Sequence, residues 1–545
     1  MNYLHRNKAV VAVLGLLVLY TVSVLINLGT LELAGEEPRR AMVSLDMLQS
    51  GNFIKPTLFG WDYYNKPPVF NWILSGAILL TGSASEAVLR LPSLLFYLLL
   101  AFFHYRISLN FFPKRIALLS SFFLLTSGDI YFYGLANGAE IDIFYSLVVY
   151  LQTVSIFWFY TKRRYLELYL VSFLFCGLGF LTKGFPSLLF QGLTLAALCL
   201  YARSVKIIWR WQFFIGILFF IAAVGLYALL YSRSGSPARF FVNLLNEAFI
   251  KSAVGERSHK LLDKSLIYPL LLLQMAAPWS LLLLLLFKKI KYNFRQNPLV
   301  WFSILFIVCN IWVYWFTGQP KMRYVYMFVP YSCTVFAQVY CRFTEEYQVV
   351  FNKLLKYLGL FFGLALLGVV ALPFFETVSV TGVVCIVIAL IVFLYYYMRI
   401  SSERIWLFIA GIVLLRFVYA VLIIPIQYKY IESYHRQMAK AAVANGKAPL
   451  RYWAKALTFP VSVSNKLFTY ELETITIPPV IPYQIPYYYY LNTGEIMKYD
   501  TAQSNAPCLI SFASQLQGQT VDTIYSFFDK TFNEPVVFYS LKNQD

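Results

Sequence analysis

Two adjacent carboxylates beside two guanidinium groups lie soon after the first long apolar run, in Gly35-Glu36-Glu37-Pro38-Arg39-Arg40. Such a carboxylate suits a general base when burial raises its pKa more than the arginines lower it. The same residues would also make a solvated helix start, because the helix dipole favours acids there. Further on, Lys66 precedes Pro67 and Pro68, which fix the backbone and bias the preceding residue toward extended geometry. A cation held that rigidly suits a phosphate, and the plainer alternative is a snorkelling lysine at a helix end. A second acidic cluster is Asn137-Gly138-Ala139-Glu140-Ile141-Asp142, where Asn137 or Asp142 would cap a helix. A third polar group holds Lys251, Glu256, Arg257, His259 and Lys260. Arg257 and Lys260 are candidates for a phosphate, because guanidinium binds it in a bidentate manner and ammonium as a point charge. Lys321, Arg323 and Tyr324 close the set.

The elements that must position these groups are membrane helices. Of 545 residues, 59% are hydrophobic and 13% charged, about half the charge expected of a soluble chain. Apolar runs near the roughly 20 residues that span a bilayer recur about thirteen times: 9–28, 87–105, 116–133, 143–160, 165–181, 185–201, 211–231, 266–287, 299–316, 324–340, 354–375, 378–397 and 405–424. The stretch 69–80 is too short to span and predicts an interfacial or re-entrant helix.

The net charge of +19 sits mostly in alternate short loops, such as Lys162-Arg163-Arg164 and Lys288-Lys289. That pattern marks the cytoplasmic side and points away from nucleic acid. It places the N-terminus inside and, after an odd number of spans, the tail outside. The expected fold class is an all-α polytopic membrane protein with a small C-terminal α/β domain. Residues 1–425 form the membrane domain, with outer loops 31–86 and 232–265, and residues 426–545 form the outer domain. In the tail, 473–477, 508–512 and 536–541 predict strands, a helix is expected around 520–528, and Tyr487 to Tyr490 predict a packing or membrane-facing strip. Lys321 and Arg323 lie on the outer side, against the cytoplasmic bias, which favours a phosphate role for them over snorkelling. Six of the seven cysteines fall in or beside apolar runs, where a thiol behaves as a small hydrophobe. No paired spacing suggests a zinc site.

Several motifs, taken in order, resemble the bacterial aminoarabinose transferases and the wider protein-mannosyltransferase-like glycosyltransferases. They are Glu36-Glu37-Pro38-Arg39-Arg40-Ala41, Tyr64-Asn65-Lys66-Pro67-Pro68, Thr182-Lys183-Gly184, Pro278-Trp279 and Lys321-Met322-Arg323-Tyr324. The resemblance covers the membrane domain and weakens in the tail. It implies a GT-C-like helical fold, a polyprenyl (undecaprenyl) phosphate sugar donor, and an acceptor lipid, glycan or protein at the outer face of a bacterial inner membrane. It gives Glu36 the place of a catalytic carboxylate, usually Asp in the family, and gives Asp142 that of a second carboxylate orienting an arginine or the acceptor. Lys66, Arg257, Lys260, Arg323 and Tyr324 would hold the donor phosphate. Glu37, Arg39, Arg40, Glu140, Lys183, His259 and Lys321 would be further substrate-binding residues.

His259 resembles a family histidine that can bind metal, yet no second imidazole is near it in sequence, and hydrogen bonding is the role expected of it. Where relatives carry Glu before Lys-Pro this chain has Asn65, and an amide is a poorer metal ligand than a carboxylate. The sequence therefore fixes no cofactor, and a divalent metal stays open as an alternative for which it supplies no clear ligand set. The rival class is a transporter of an anionic lipid or solute, which needs polar or broken helices near the midplane. Arg416 and His104 are the main polar interruptions of the spans, and Arg416 is expected to be functional, to snorkel or to anchor packing.

Overall fold

The structure, a computed structural model, describes residues 2–135, 138–251, 267–288, 292–314, 321–376, 378–400, 404–429, 434–445, 450–453, 457–465, 468–477, 483–500, 508–516, 521–529 and 534–541. Asn137, Glu256, Arg257, His259 and Lys260 lie outside the described residues. The chain divides into two compact units. One comprises Met1–Leu31, Arg90–Leu226 and Phe249–Tyr430, the other Glu32–Leu89, Tyr227–Ala248 and Ile431–Asp545.

The first unit is helical. Among the described residues of the chain, seven helices are long and apolar enough to cross a membrane, or eight when Ile267–Met275 and Trp279–Phe287 count as one span bent by 114°. That bend corrects the straight span expected at 266–287. Pro278 lies in the break and has no N–H to continue a helix. The spans expected at 324–340 and 354–375 run on as one stretch, Met322–Phe374, broken at Tyr347 (φ −129°, ψ 32°). The span expected at 116–133 ends as an α-helix at Leu125 and resumes as a π-turn at Ile130–Gly134.

Helix Ile141–Thr161 is the centre of this unit, with 78% of its apolar window buried, whereas Trp211–Tyr231 buries 11% and turns its Phe, Leu and Ile side chains outward. Several polar groups inside the bundle are paired, which lowers the cost of burying them. Thr153 bonds the Tyr331 hydroxyl at 2.6 Å, and His104 bonds Ser120 at 2.8 Å and Tyr150 at 3.2 Å. Arg416 anchors packing instead of snorkelling. It is 1% exposed, donates to the Tyr131 carbonyl at 3.1 Å and lies over the Tyr419 ring.

The second unit opens with helix Glu37–Ser50. Pro38 suits its first turn, where an N–H would be unsatisfied, and the Glu37 carboxylate accepts the Ala34 N–H at 2.9 Å. A tight hairpin follows, β1 Thr57–Leu58 with β2 Trp61–Asp62, and then helix Val69–Thr81 behind Pro67 and Pro68. Strands β3 Leu450–Trp453, β6 Lys498–Asp500, β7 Cys508–Phe512, β8 Val521–Asp529 and β9 Glu534–Leu541 form a mixed sheet in the order β6-β3-β7-β9-β8. In it β3 runs parallel to both neighbours and β9 antiparallel to both of its own. Strands β4 Leu457–Asn465 and β5 Phe468–Ile477 pair as a separate hairpin.

The helix expected around 520–528 is strand β8. Its β-branched and aromatic residues favour a pleated surface, and its ladder with β9 runs from Val521 to Asp529. Tyr487, Tyr488 and Tyr489 are buried in helix Gln484–Thr493, the packing role of the two expected. The Tyr488 hydroxyl accepts the Leu33 N–H at 3.0 Å, and the Tyr487 hydroxyl donates to the Ala84 carbonyl at 2.8 Å.

Candidate active site

In the second unit Glu36 stands at the N-cap of helix Glu37–Ser50. Its carboxylate is bound by Arg39 one turn on, and the Arg40 guanidinium lies 3.8 Å away. Each arginine is itself held by an aromatic ring. Arg40 donates to the Tyr63 hydroxyl at 3.0 Å, and Arg39 lies 5.5 Å above the centre of the Tyr483 ring. Glu36 keeps 28% of its side chain exposed, so it can meet a solute, whereas Glu37 is fully buried and serves the backbone. The solvated helix start therefore does not describe this pair. Among the described residues, Arg39 Nε and Arg40 Nε are buried donors without a hydrogen-bond partner, which leaves capacity for an anion.

The hairpin beside this cluster is held from below. Asp46 accepts the Gly60 N–H at 3.1 Å, and burial pushes its carboxyl up to about 6. Phe59, at φ 57°, is a bulky residue in left-handed backbone, a strained state that surrounding contacts must impose. Its ring stacks on Tyr483 at 6.3 Å. Lys55 pairs with Asp62 at 2.6 Å, and Tyr64 donates to the same carboxylate at 2.8 Å. Burial, and then Asp62, raises the Tyr64 phenol to about 12. Lys66 is half-buried in the loop that these contacts brace.

In the first unit a denser cluster gathers around Asp142, in the first turn of Ile141–Thr161. One carboxylate oxygen takes Lys183, and the other lies 3.3 Å from Arg323 Nε. Arg323 is also bound by Glu140. Asp142 therefore spends both oxygens on cations. It does not cap its helix, whose N-cap is Glu140, with no side-chain cap bond. Lys183 is the last residue of helix Tyr165–Lys183, and the chain turns at Gly184 with φ 86°, ψ −143°, a region open essentially to glycine alone. That turn explains why a Lys-Gly pair is needed here.

The Lys183 ammonium faces three rings, Tyr145 at 5.0 Å, Tyr314 at 5.2 Å and Tyr324 at 5.0 Å, and Tyr314 stacks on Tyr324 at 4.6 Å. Lys321, half-buried, precedes the short 3₁₀ segment Met322–Phe328 that carries Arg323 and Tyr324. Sequence reasoning missed Tyr63, Tyr483, Tyr145 and Tyr314. Only Tyr145 had a signal, lying three residues after Asp142 and hence on the same helix face. The others are hidden in a chain that is 19% aromatic.

With this geometry in hand, the chain is similar to a set of known transferases. Residues 65–227 match the family of dolichyl-phosphate-mannose-protein mannosyltransferases. The undecaprenyl phosphate-alpha-4-amino-4-deoxy-L-arabinose arabinosyl transferase of Photorhabdus laumondii is 30% identical over 175 residues, 31% of each chain. Its counterpart in Pseudomonas savastanoi is 31% identical over 160 residues, 28% of each. The matched segment thus spans about a third of the length of these curated relatives. The crystal structure of ArnT from Cupriavidus metallidurans bound to undecaprenyl phosphate superposes with a TM-score of 0.69 over 98% of both chains, at 15% identity. The fold is the ArnT fold. The resemblance drawn from the motifs is borne out, and at 15% identity the ArnT structure speaks for architecture alone. The apo form of ArnT gives a TM-score of 0.67 over the same share.

Proposed function

We propose that this chain is a membrane glycosyltransferase that moves a sugar from a polyprenyl phosphate donor to an acceptor hydroxyl on the outer face of a bacterial inner membrane. What carries this reading is the 30% identity over 175 residues to an undecaprenyl phosphate-alpha-4-amino-4-deoxy-L-arabinose arabinosyl transferase, on a fold shared over 98% of both chains with ArnT. The acceptor oxygen attacks the anomeric carbon as the bond to the phosphate oxygen breaks, and the anomeric centre inverts. The acceptor's proton passes to Glu36, and the leaving polyprenyl phosphate takes the electron pair. Because that group leaves as a stable anion, cations aimed at its developing charge matter more than a general acid. Lys66, Arg257, Lys260 and Arg323, with the Tyr324 hydroxyl, are assigned to that charge.

Asp142, bound through both oxygens, is a positioning residue for Lys183 and Arg323 and not a second base. Arg39 and Arg40 position Glu36. Supporting thirteen spans, the shorter helices Val10–Leu25, Pro186–Ala202 and Pro298–Val313 are apolar, and Lys114–Leu125 is buried over most of its length. The break at Tyr347 separates two spans. The basic loops then put the N-terminus in the cytoplasm and the tail, read as a small α/β domain, outside.

The test uses purified protein in lipid nanodiscs with undecaprenyl-phosphate-linked sugars and envelope lipids as acceptors, product being read by mass spectrometry. Glu36→Gln should lower turnover by about 10² to 10⁴, the usual worth of a general base, with donor binding retained. Undiminished turnover removes Glu36 as the base.

A further inference from the structure

The Tyr145 ring that faces Lys183 is tied at its far end. Its hydroxyl bonds Ser187 Oγ at 2.9 Å, and both residues are completely buried. Ser187 lies in the first turn of helix Pro186–Ala202, just past the Gly184 turn. Its carbonyl accepts Gln152 Nε2 at 3.0 Å. The same amide donates to Gln191 Oε1 at 2.9 Å, and Gln191 Nε2 donates to Ser172 Oγ at 2.9 Å. Helix Tyr165–Lys183 can lie this close because residue 179 is glycine. A Cβ there would come within 2.7 Å of Ser187 Oγ. Three helices are thus joined by a dry chain of hydrogen bonds that ends on one ring of the Lys183 enclosure. Gln152 Oε1 has no hydrogen-bond partner among the described residues, a cost that apolar side chains of the same shape would not carry.

We propose that Ser187, backed by Gln152 and Gln191, is a positioning residue that acts through Tyr145. It holds the ring flat against the Lys183 ammonium, so that Lys183 stays on one oxygen of Asp142 and leaves the other for Arg323. With the hydroxyl strut gone, Tyr145 can rotate away, Lys183 loses one wall of its enclosure, and Arg323 loses a fixed partner. For the reaction this rests on the transferase reading above, in which Arg323 meets the donor phosphate. The strut itself does not depend on that reading.

Ser187→Ala and Tyr145→Phe each remove one end of the strut while keeping the surrounding shape, and the pair is made as a double variant. Modification of Lys183 by a small amine-reactive reagent, followed by mass spectrometry in the full-length protein, reads the enclosure directly. A neutral buried hydrogen bond corresponds to about fivefold, so each single variant should raise the labelling rate by about that factor. The double variant should match Tyr145→Phe, because that change already removes the Ser187 bond together with the hydroxyl's hydrogen bond to Tyr314. In parallel, affinity for undecaprenyl phosphate, read by thermal shift, should weaken about fivefold, and the KM for the sugar donor should rise with kcat kept.

Unchanged labelling in both single variants overturns the strut, as does additive loss in the double variant. Faster labelling in a protein whose unmodified form neither binds undecaprenyl phosphate nor transfers sugar from it upholds the strut and refutes the donor reading. A fall in kcat with an unchanged KM would assign the strut to general stability and also overturn the proposal.

Discussion

Replacing Asp142 by Asn tests the role assigned to that carboxylate. The side chain keeps its shape and loses its charge, which takes from Lys183, 7% exposed at its side chain, the carboxylate charge paired with it. Breaking a buried ion pair from one side costs about 3 to 5 kcal/mol, mostly because the remaining charge stays buried and uncompensated. Two features reduce that here. Arg323 is also bound by Glu140, so the loss falls mainly on Lys183, and the three tyrosine faces around its ammonium each attract a cation by about 0.5 to 1 kcal/mol. A destabilisation of about 2 kcal/mol follows, read as a lower melting midpoint in detergent.

The sharper arm is the double variant Asp142→Asn with Lys183→Met. Removing both charges takes away the stranded cation, and replacing a whole buried pair by apolar groups is often neutral. Stability should therefore return to within about 1 kcal/mol of the unmodified protein, while transfer activity stays low because Arg323 keeps Glu140 but loses Asp142, the second carboxylate that fixes it. If Asp142→Asn alone melts like the unmodified protein, the pair is not the buried, mutually dependent unit described. If the double variant recovers activity together with stability, the cluster serves stability only.

Asp46 gives a pH signature. Its carboxyl is raised by burial from 3.8 to about 6 in the folded protein. The folded state therefore holds one more proton than the unfolded state between those values, and stability falls as pH rises from about 4 through 6. Two pKa units amount to about 3 kcal/mol. Asp46→Asn, which keeps an oxygen for the Gly60 N–H, should flatten that part of the melting profile and stabilise the protein at neutral pH; a profile identical to the unmodified protein's would show that Asp46 is not the buried acid. Gly184→Ala should cost about 1 to 3 kcal/mol for the forced backbone and lower transfer activity by displacing Lys183, checked by melting and turnover on the same preparation.

The membrane helices were legible because run length against bilayer thickness is a coarse, strong signal. What defeated it was local. The bend at Pro278, the π-turn after Leu125 and the kink at Tyr347 within Met322–Phe374 depend on how individual turns pack, and hydropathy carries no record of that. Strand β8 was misread because Val521 to Asp529 mixes charged and apolar residues without a clean period of two, and its ladder partner β9 settled the matter. At the site, charged residues announced themselves by type, since a carboxylate or guanidinium outside a span is rare enough to notice. Their partners did not. Tyr483 reaches Arg39 from a position more than 440 residues away in sequence, and no local pattern can foretell that.

The same contrast separates two acids that look alike in sequence. From sequence, Glu36 and Asp142 are both acids at the start of helices beside outer loops, and either could accept a proton. The structure separates them by what surrounds each. Glu36 keeps over a quarter of its side chain exposed and is held by arginines that rings in turn hold, so it can be both oriented and reached. Asp142 has both oxygens committed to cations and is 3% exposed, and a carboxylate so enclosed can take up a proton only by releasing Lys183 or Arg323. Proton transfer in a turnover cycle would then require dismantling the cluster each time, at a cost of about 3 to 5 kcal/mol for an unpaired buried charge. Exposure, more than acidity, separates the acid proposed as the base from the acid proposed as a positioning residue.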